Sequence, residues 1–236
     1  MRILALVTAR GGSKRVPNKN KRLLGGRPLI EWSIDVAKDI PEISDILVST
    51  DDEEIADISR QAGAMVPWLR PDDLALDTSL SVDVCLHALD WYESEYCKVD
   101  GLLLLQPTSP FRSRDSVKRG IKIFDDNRCN GSIIGLSPAK THPMWCYQVA
   151  GNSMSAFIPG VNTDLRSQDM PPLYEINGAF YLITPKYLRK HKSFHVDGAL
   201  PLVFDSLEES LDIDTEWDWK QAEMVVQARS DKSNLC

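Results

Sequence analysis

Apolar runs of four to eight residues alternate along this chain with longer stretches of helical period, the pattern of parallel strands joined by crossover helices. The first strand is predicted over Ile3 to Thr8, and a loop from Ala9 to Gly26 follows it. A helix is expected to begin near Pro28, carry Leu29, Ile30, Trp32, Ile34, Val36 and Ala37 inward, and stop by Pro41. Ile46 to Ser49 reads as a second strand. Thr50-Asp51-Asp52-Glu53 then offers an acidic helix start, and Gly63 a stop. Ala64 to Leu69 could form a short strand before a turn at Arg70-Pro71-Asp72-Asp73 and a helix over Ser79 to Tyr96. Leu102 to Leu105 is the clearest buried strand. Beyond it the pattern predicts a helix over Asp115 to Asp126, strands over Gly131 to Leu136 and Ala179 to Ile183, and a last helix over Thr215 to Ala228 with a frayed tail after Arg229. Pro138 to Tyr174 breaks the rhythm with Pro, Gly, Ser and Asn. It reads as an insertion, either an arm or a surface loop.

With 236 residues, 43% hydrophobic and 26% charged, the chain can bury one sizeable α/β core, and a single domain spanning 1–236 with an inserted arm at about 138–175 is expected. The formal net charge of −7 argues against nucleic acid as a partner, since that binding needs many phosphates neutralised by Lys and Arg. No stretch approaches the roughly 18 apolar residues needed to span a bilayer, and Ile3 to Val7 is too short for a signal-peptide core. No membrane association and a cytoplasmic location are therefore expected. The five cysteines, Cys85, Cys97, Cys129, Cys146 and Cys236, have no CxxC spacing, and reduced thiols are the simplest reading. The four histidines form no HExxH pair.

Positive charge nevertheless concentrates in one place. Residues 9–22 hold six basic side chains directly after the first strand, namely Arg10, Lys14, Arg15, Lys19, Lys21 and Arg22. In an open α/β sheet that position is the carboxyl edge where ligands settle, and Gly11 and Gly12 would let backbone N–H groups approach a phosphate. The loop matches neither GxGxxG nor GxxxxGK[ST], which disfavours a dinucleotide site or a P-loop ATPase. Near the other end, Asp212-Ile213-Asp214 would set two carboxylates on one side of an extended segment, able to hold a hard divalent cation. The alternative is that both residues help to start the last helix with Thr215 and Glu216.

These blocks resemble the CMP-acylneuraminate (CMP-nonulosonate) synthetases. Ala9, Arg10, Ser13, Lys14, Pro17, Lys19 and Asn20 stand at the spacing of that family's opening. Further matching blocks are Val48-Ser49-Thr50-Asp51, Leu69-Arg70-Pro71, Leu74-Ala75, Asp77-Thr78, Leu104 to Pro110 with Arg112, Asn177-Gly178-Ala179 and Asp212 to Thr215. The resemblance implies a three-layer, Rossmann-like nucleotidyltransferase fold with a mainly parallel sheet and a protruding dimerisation segment. It further implies a homodimer, CTP and a nonulosonic acid as substrates, and Mg²⁺ as cofactor. By the same resemblance Arg10, Ser13, Lys14 and Lys19, with Gly11 and Gly12, would hold the CTP phosphates, and Asn20, Arg70 and Ser81 would line the nucleoside pocket. Gln106, Arg166 and Gln168 would face the sugar. Arg10, Lys19 and Asp214 would be catalytic, and Asp212 and Asp214 would bind the metal. Asp218 is expected to be a structural companion.

One departure bears on the sugar. Where many sialic acid enzymes carry an Arg shortly before the Asn-Gly-Ala block, this chain has Tyr174-Glu175-Ile176, and an acidic residue there would repel a carboxylate or pair with a positively charged or hydroxylated substituent. N-acetylneuraminate, legionaminate and pseudaminate all stay open as acceptors. Another sugar nucleotidyltransferase, such as CMP-Kdo synthetase, and a nonenzymatic nucleotide-binding subunit are the rival readings.

Overall fold

In a computed structural model, which describes residues 1–160 and 166–233, the elements follow in the order β1 (Ile3–Thr8), β2 (Leu23–Leu24), β3 (Arg27–Pro28), α1 (Leu29–Ala37), β4 (Ile43–Ser49), α2 (Glu53–Gln61), α3 (Asp72–Ala75), α4 (Ser81–Glu95) and β5 (Gly101–Leu104). They continue with α5 (Arg114–Asp126), β6 (Ser132–Pro138), β7 (Tyr147–Ala150), β8 (Ser153–Ala156), β9 (Tyr174–Ile183), α6 (Pro185–His191), β10 (Leu200–Val203) and α7 (Glu216–Ser233). Six strands form the central sheet in the order β10-β6-β9-β5-β1-β4. All run the same way except β9, which is antiparallel to both neighbours.

Strand periodicity sorts the core into two layers. Ile3, Ala5 and Val7 of β1 and Leu103 next to β1 pack with α1, α2 and α5, while Leu4, Leu6, Leu102 and Leu104 pack against α4 and α6 on the opposite face. Burial on both faces explains why these strands read as unbroken apolar runs. A third cluster, Val16, Leu24, Leu29, Phe111, Ile213, Trp219 and Ala222, fixes the basic loop and α7 to the end of the sheet.

The structure corrects several sequence expectations. Ala64 to Leu69 is not a strand; only Met65 bridges to Leu47. The last helix does not fray after Arg229 but continues to Ser233, with Arg229 bonded to Glu208 at 2.8 Å. Strand β9 starts at Tyr174, five residues before the expected strand, and β10 and α6 were not anticipated. The insertion leaves β6 at Pro138 and returns at Tyr174, which pair with each other, and it carries the exposed β7–β8 hairpin. Among the described residues, no helix is long and apolar enough to cross a membrane. Cys85, Cys97, Cys129 and Cys146 are free thiols, and Cys236 lies outside the described residues.

Candidate active site

The ends of β1, β5 and β10 open on the same edge of the sheet, and the segments that follow them converge there. A cleft of about 540 Å³ is lined by Arg10, Ser13, Lys14 and Lys19 from the basic loop, Gln106 after β5, and Asp212 and Asp214 after β10. The cationic loop and the paired carboxylates therefore share one cavity. Thr8, Arg15, Val16, Asn20, Pro107 and Thr108 complete the wall; Asn20, expected with Arg70 and Ser81 in the nucleoside pocket, lies here among the phosphate-loop residues, and the basic Arg15 was within reach of sequence reasoning.

Local contacts hold the loop in this shape. Val16 is 1% exposed and anchors it in the third apolar cluster. Asn20 is buried, and its side-chain amide donates to the Arg10 carbonyl at 2.9 Å, closing the loop on itself. Gly11 donates its N–H to the Asp51 carboxylate at 3.0 Å, so it turns toward α2 rather than the cleft, contrary to the expectation that both glycines would present N–H groups to a phosphate. Gly12 has open space around it, and neither glycine lines the cleft.

Lys19 reaches across the cavity. Its Nζ donates to the Ile213 carbonyl at 2.7 Å and lies 3.7 Å from Asp214, while Arg15 reaches Asp214 at 3.6 Å. Burial pulls the Lys19 ammonium below its usual range, against the pull of Asp214 and Asp212. Burial also pushes the Asp212 carboxyl up, opposed by a hydrogen bond from the Thr108 side chain. Asp212 Oδ1 is buried with no hydrogen-bond partner, an acceptor aimed at nothing the protein provides.

The helix-start alternative for these aspartates is resolved by the contacts. The Asp218 carboxylate accepts from the Thr215 N–H at 2.7 Å, and the Thr215 hydroxyl accepts from the Asp218 N–H at 3.3 Å, a reciprocal capping box. Asp218 also accepts the Asp214 N–H at 3.1 Å. Helix α7 is thus capped by Thr215 and Asp218, and the Asp212 and Asp214 side chains are left for the cleft. Among the described residues, no three His, Cys, Asp or Glu side chains gather to hold a metal. An ion at Asp212 and Asp214 would complete its shell from substrate oxygens and water, as Mg²⁺ commonly does.

A second cleft of about 240 Å³ shares Thr8 and Arg10 with the first and is lined by Arg70, Leu74, Leu76, Asp77, Ser79 and Ser81. Arg70 is 7% exposed; it donates from Nε to the Ser49 hydroxyl at 3.0 Å and from Nη2 to the Ser49 carbonyl, and burial lowers its pKa. Between the two clefts stands a carboxylate to which sequence reasoning gave no role. Asp77 bridges Arg10 at 2.5 Å and Lys14, and the Lys14 and Arg10 contacts hold its carboxyl below the usual range. Its only signal in the sequence is its place in a matching block.

The Asn-Gly-Ala block on β9 backs the Gln106 side of the cleft. Asn177 donates to the Ser137 hydroxyl at 2.9 Å and accepts the Ala179 N–H at 3.0 Å. Gly178 has φ +72°, and a Cβ there would come within 2.9 Å of the Gln106 side-chain oxygen. Arg166 is exposed just before a short 3₁₀ turn, Ser167–Asp169, and Gln168 is exposed within it; neither lines the cleft. Glu175 is exposed at the root of the insertion, opposite Ser137.

Known proteins resemble this chain along its length. A family model described as cytidylyltransferase matches residues 4–114. The CMP-N,N'-diacetyllegionaminic acid synthase of Legionella pneumophila is 40% identical over 231 residues, covering 96% of this chain and 97% of that protein. The pseudaminic acid cytidylyltransferase of Campylobacter jejuni is 30% identical over 187 residues, 79% of this chain and 80% of that protein. Among solved structures, a CMP:2-keto-3-deoxy-manno-octonic acid synthetase complexed with CTP superposes with a TM-score of 0.72 over 97% of this chain and 100% of that one, at 14% identity. At that identity the likeness speaks for the fold.

Proposed function

We propose that this chain, which belongs to the cytidylyltransferase family of CMP-nonulosonate synthetases, transfers CMP from CTP to the anomeric hydroxyl of a nonulosonic acid and releases pyrophosphate. The observation that carries the proposal is Lys19, which stands 3.7 Å from Asp214 in a cleft that also holds Arg10 and Asp212. A triphosphate lying between the basic loop and the two carboxylates would meet cations on one side and a metal seat on the other.

The sugar hydroxyl attacks the α-phosphorus; a new P–O bond forms as the bond to the β-phosphate oxygen breaks, pyrophosphate leaves with that oxygen, and the hydroxyl proton passes to solvent water. Charge grows on the α-phosphate oxygens and on the departing pyrophosphate, so fixed cations beside them lower the barrier. Lys19 and Arg10 serve that role, Ser13 and Lys14 orient the phosphates, Asn20 holds the phosphate loop closed through the Arg10 carbonyl, and Arg70 and Ser81 border the nucleoside. Asp212 and Asp214 would hold Mg²⁺, the unpartnered Asp212 oxygen supporting the fit. Bound there, the ion would supply charge neutralisation along the phosphates. Gln106 faces the acceptor. Arg166 and Gln168 act on the sugar from the insertion, in the cleft of a second copy of a homodimer. The exposed Val149 and Met154 of the β7–β8 hairpin support that arrangement, as an apolar surface that a second copy would cover. Cysteines scattered along the chain without CxxC spacing support work in the cytoplasm.

The name of the Legionella relative makes N,N'-diacetyllegionaminic acid the first acceptor to try. Pyrophosphate release should be followed with CTP, UTP and GTP against diacetyllegionaminic, pseudaminic and N-acetylneuraminic acids and Kdo, with Mg²⁺ titrated. Release with CTP and a nine-carbon acid is expected, whereas release with Kdo alone, or with none, would overturn the proposal. Asp214→Ala should stay folded and lose most turnover, with a steeper demand for Mg²⁺. Near-wild-type turnover at limiting Mg²⁺ would remove the metal role.

A further inference from the structure

Arg112 is 4% exposed, and its hydrogen bonds go to backbone carbonyls, from Nε to Ser109 at 2.9 Å and from Nη2 to Gln106. Its Nη1 is buried without a hydrogen-bond partner, and Asp212 acts on it through space. Burial pushes its pKa down to about 9, so it is charged at neutral pH. An enclosed cation is a poor choice for stability alone, because an apolar side chain of similar volume is often as good or better there. The position of the guanidinium therefore asks for another reason.

That reason lies in what the two carbonyls carry. The Gln106 carbonyl also accepts from the Ser33 hydroxyl at 3.3 Å and from the Ser109 N–H at 3.3 Å, so three donors converge on one oxygen. Pro107 follows directly and fixes the next φ. The peptide plane of Gln106 is thereby set, and with it the direction in which the side chain enters the cleft over Gly178. The same turn reaches the carboxylates, because the Thr108 carbonyl accepts the Ile213 N–H at 2.8 Å between Asp212 and Asp214. Arg70 and Ser81, by contrast, line the other cleft and come from other segments, Arg70 from the stretch before α3 and Ser81 from the start of α4.

We infer that Arg112 is a positioning residue for the acceptor sugar. By clamping the Gln106 and Ser109 carbonyls it aims the Gln106 side chain into the cleft. This inference rests on the cytidylyltransferase reading of that cleft.

The test compares wild type with Arg112→Met, Arg112→Lys and Ser33→Ala in the full chain, measuring pyrophosphate release with each substrate varied, CTP binding by calorimetry and thermal unfolding. Arg112→Met should raise KM for the nonulosonic acid about tenfold or more while KM and Kd for CTP stay within about twofold. Arg112→Lys should fall between wild type and Met. Ser33→Ala, which removes a donor from the same carbonyl and leaves the guanidinium alone, should move the same constant by about threefold. If Arg112→Met does not fold, the other two variants carry the test. A purely structural arginine would lower the active fraction, reducing apparent kcat with both KM values unmoved, and that result overturns the inference. So does a parallel rise in KM for CTP. Absence of pyrophosphate release by wild type with every nonulosonic acid would instead sink the functional reading itself.

Discussion

Lys19 donates its ammonium to the backbone carbonyl of Ile213 at 2.7 Å, tying the phosphate loop to the segment that carries Asp212 and Asp214. The Ile213 side chain is fully buried, and its N–H is held by Thr108 at 2.8 Å, so the anchor is rigid on both sides. A cation held this way is preorganised for charge that develops during transfer. Lys19→Met should therefore lower kcat by about two to three orders of magnitude with only a few-fold change in KM for CTP. Steady-state kinetics check this, and a rise in KM for CTP with kcat intact would contradict it.

Asp77 neutralises two of the cations that the proposed reaction needs, Arg10 and Lys14. A triphosphate seeking the same cations competes with this carboxylate. Asp77→Asn removes the competing charge and keeps the shape, so KM for CTP should fall several-fold, more at low salt than at high salt because the pairs are exposed and screened. CTP titrations at two ionic strengths measure it. A raised KM would mean that Asp77 holds the cations in place instead.

Much of this arrangement is legible in the sequence, for physical reasons. Strands buried on both faces leave apolar runs, and the basic loop stands out against an acidic chain. The role of Asp212 and Asp214 is only half legible, since whether they cap α7 depends on Thr215 and Asp218 satisfying each other across the first turn. What is not legible follows from weak local signals. Strand β10 spans Leu200–Val203 and contains Pro201, which reads as a breaker, yet an edge strand tolerates it. The first part of β9 is exposed and lacks an apolar run. The Gly11 N–H bond to Asp51 and the Asp77 bridge join residues far apart in the chain, and local pattern says nothing of them.

Asp52 illustrates how the loop's support responds to acid. It caps α2 by accepting the Ile55 N–H at 3.1 Å and lies 3.2 Å from Lys21. Burial alone would raise its pKa, but the Ile55 N–H and Lys21 overcome that and hold it below the usual carboxylate range. A lowered folded pKa contributes stability that is present above the unfolded value, about 3.9, and is lost as pH falls through the folded value. Asp52→Ala should cost about 1 kcal/mol at pH 7, and the gap to wild type should narrow toward pH 3. Urea unfolding at the two pH values measures it; a gap that widens in acid would refute the assignment.

Gly178 offers a way to separate backbone strain from contact with the site. Its φ of +72° costs a residue with a Cβ about 1–2 kcal/mol, and the added methyl would also meet the Gln106 side-chain oxygen at 2.9 Å. Gly198 has a similar φ of +78° but nothing within 4 Å of a Cβ. Both alanine variants should lose comparable stability, seen as similar drops in Tm. The kinetic outcomes should part, because the end of the Gln106 side chain can swing away from the new methyl and thereby leave the acceptor. Gly178→Ala should then raise KM for the nonulosonic acid about tenfold with KM for CTP unchanged, while Gly198→Ala leaves both alone. Equal kinetics in the two variants would mean that Gln106 does not touch the sugar.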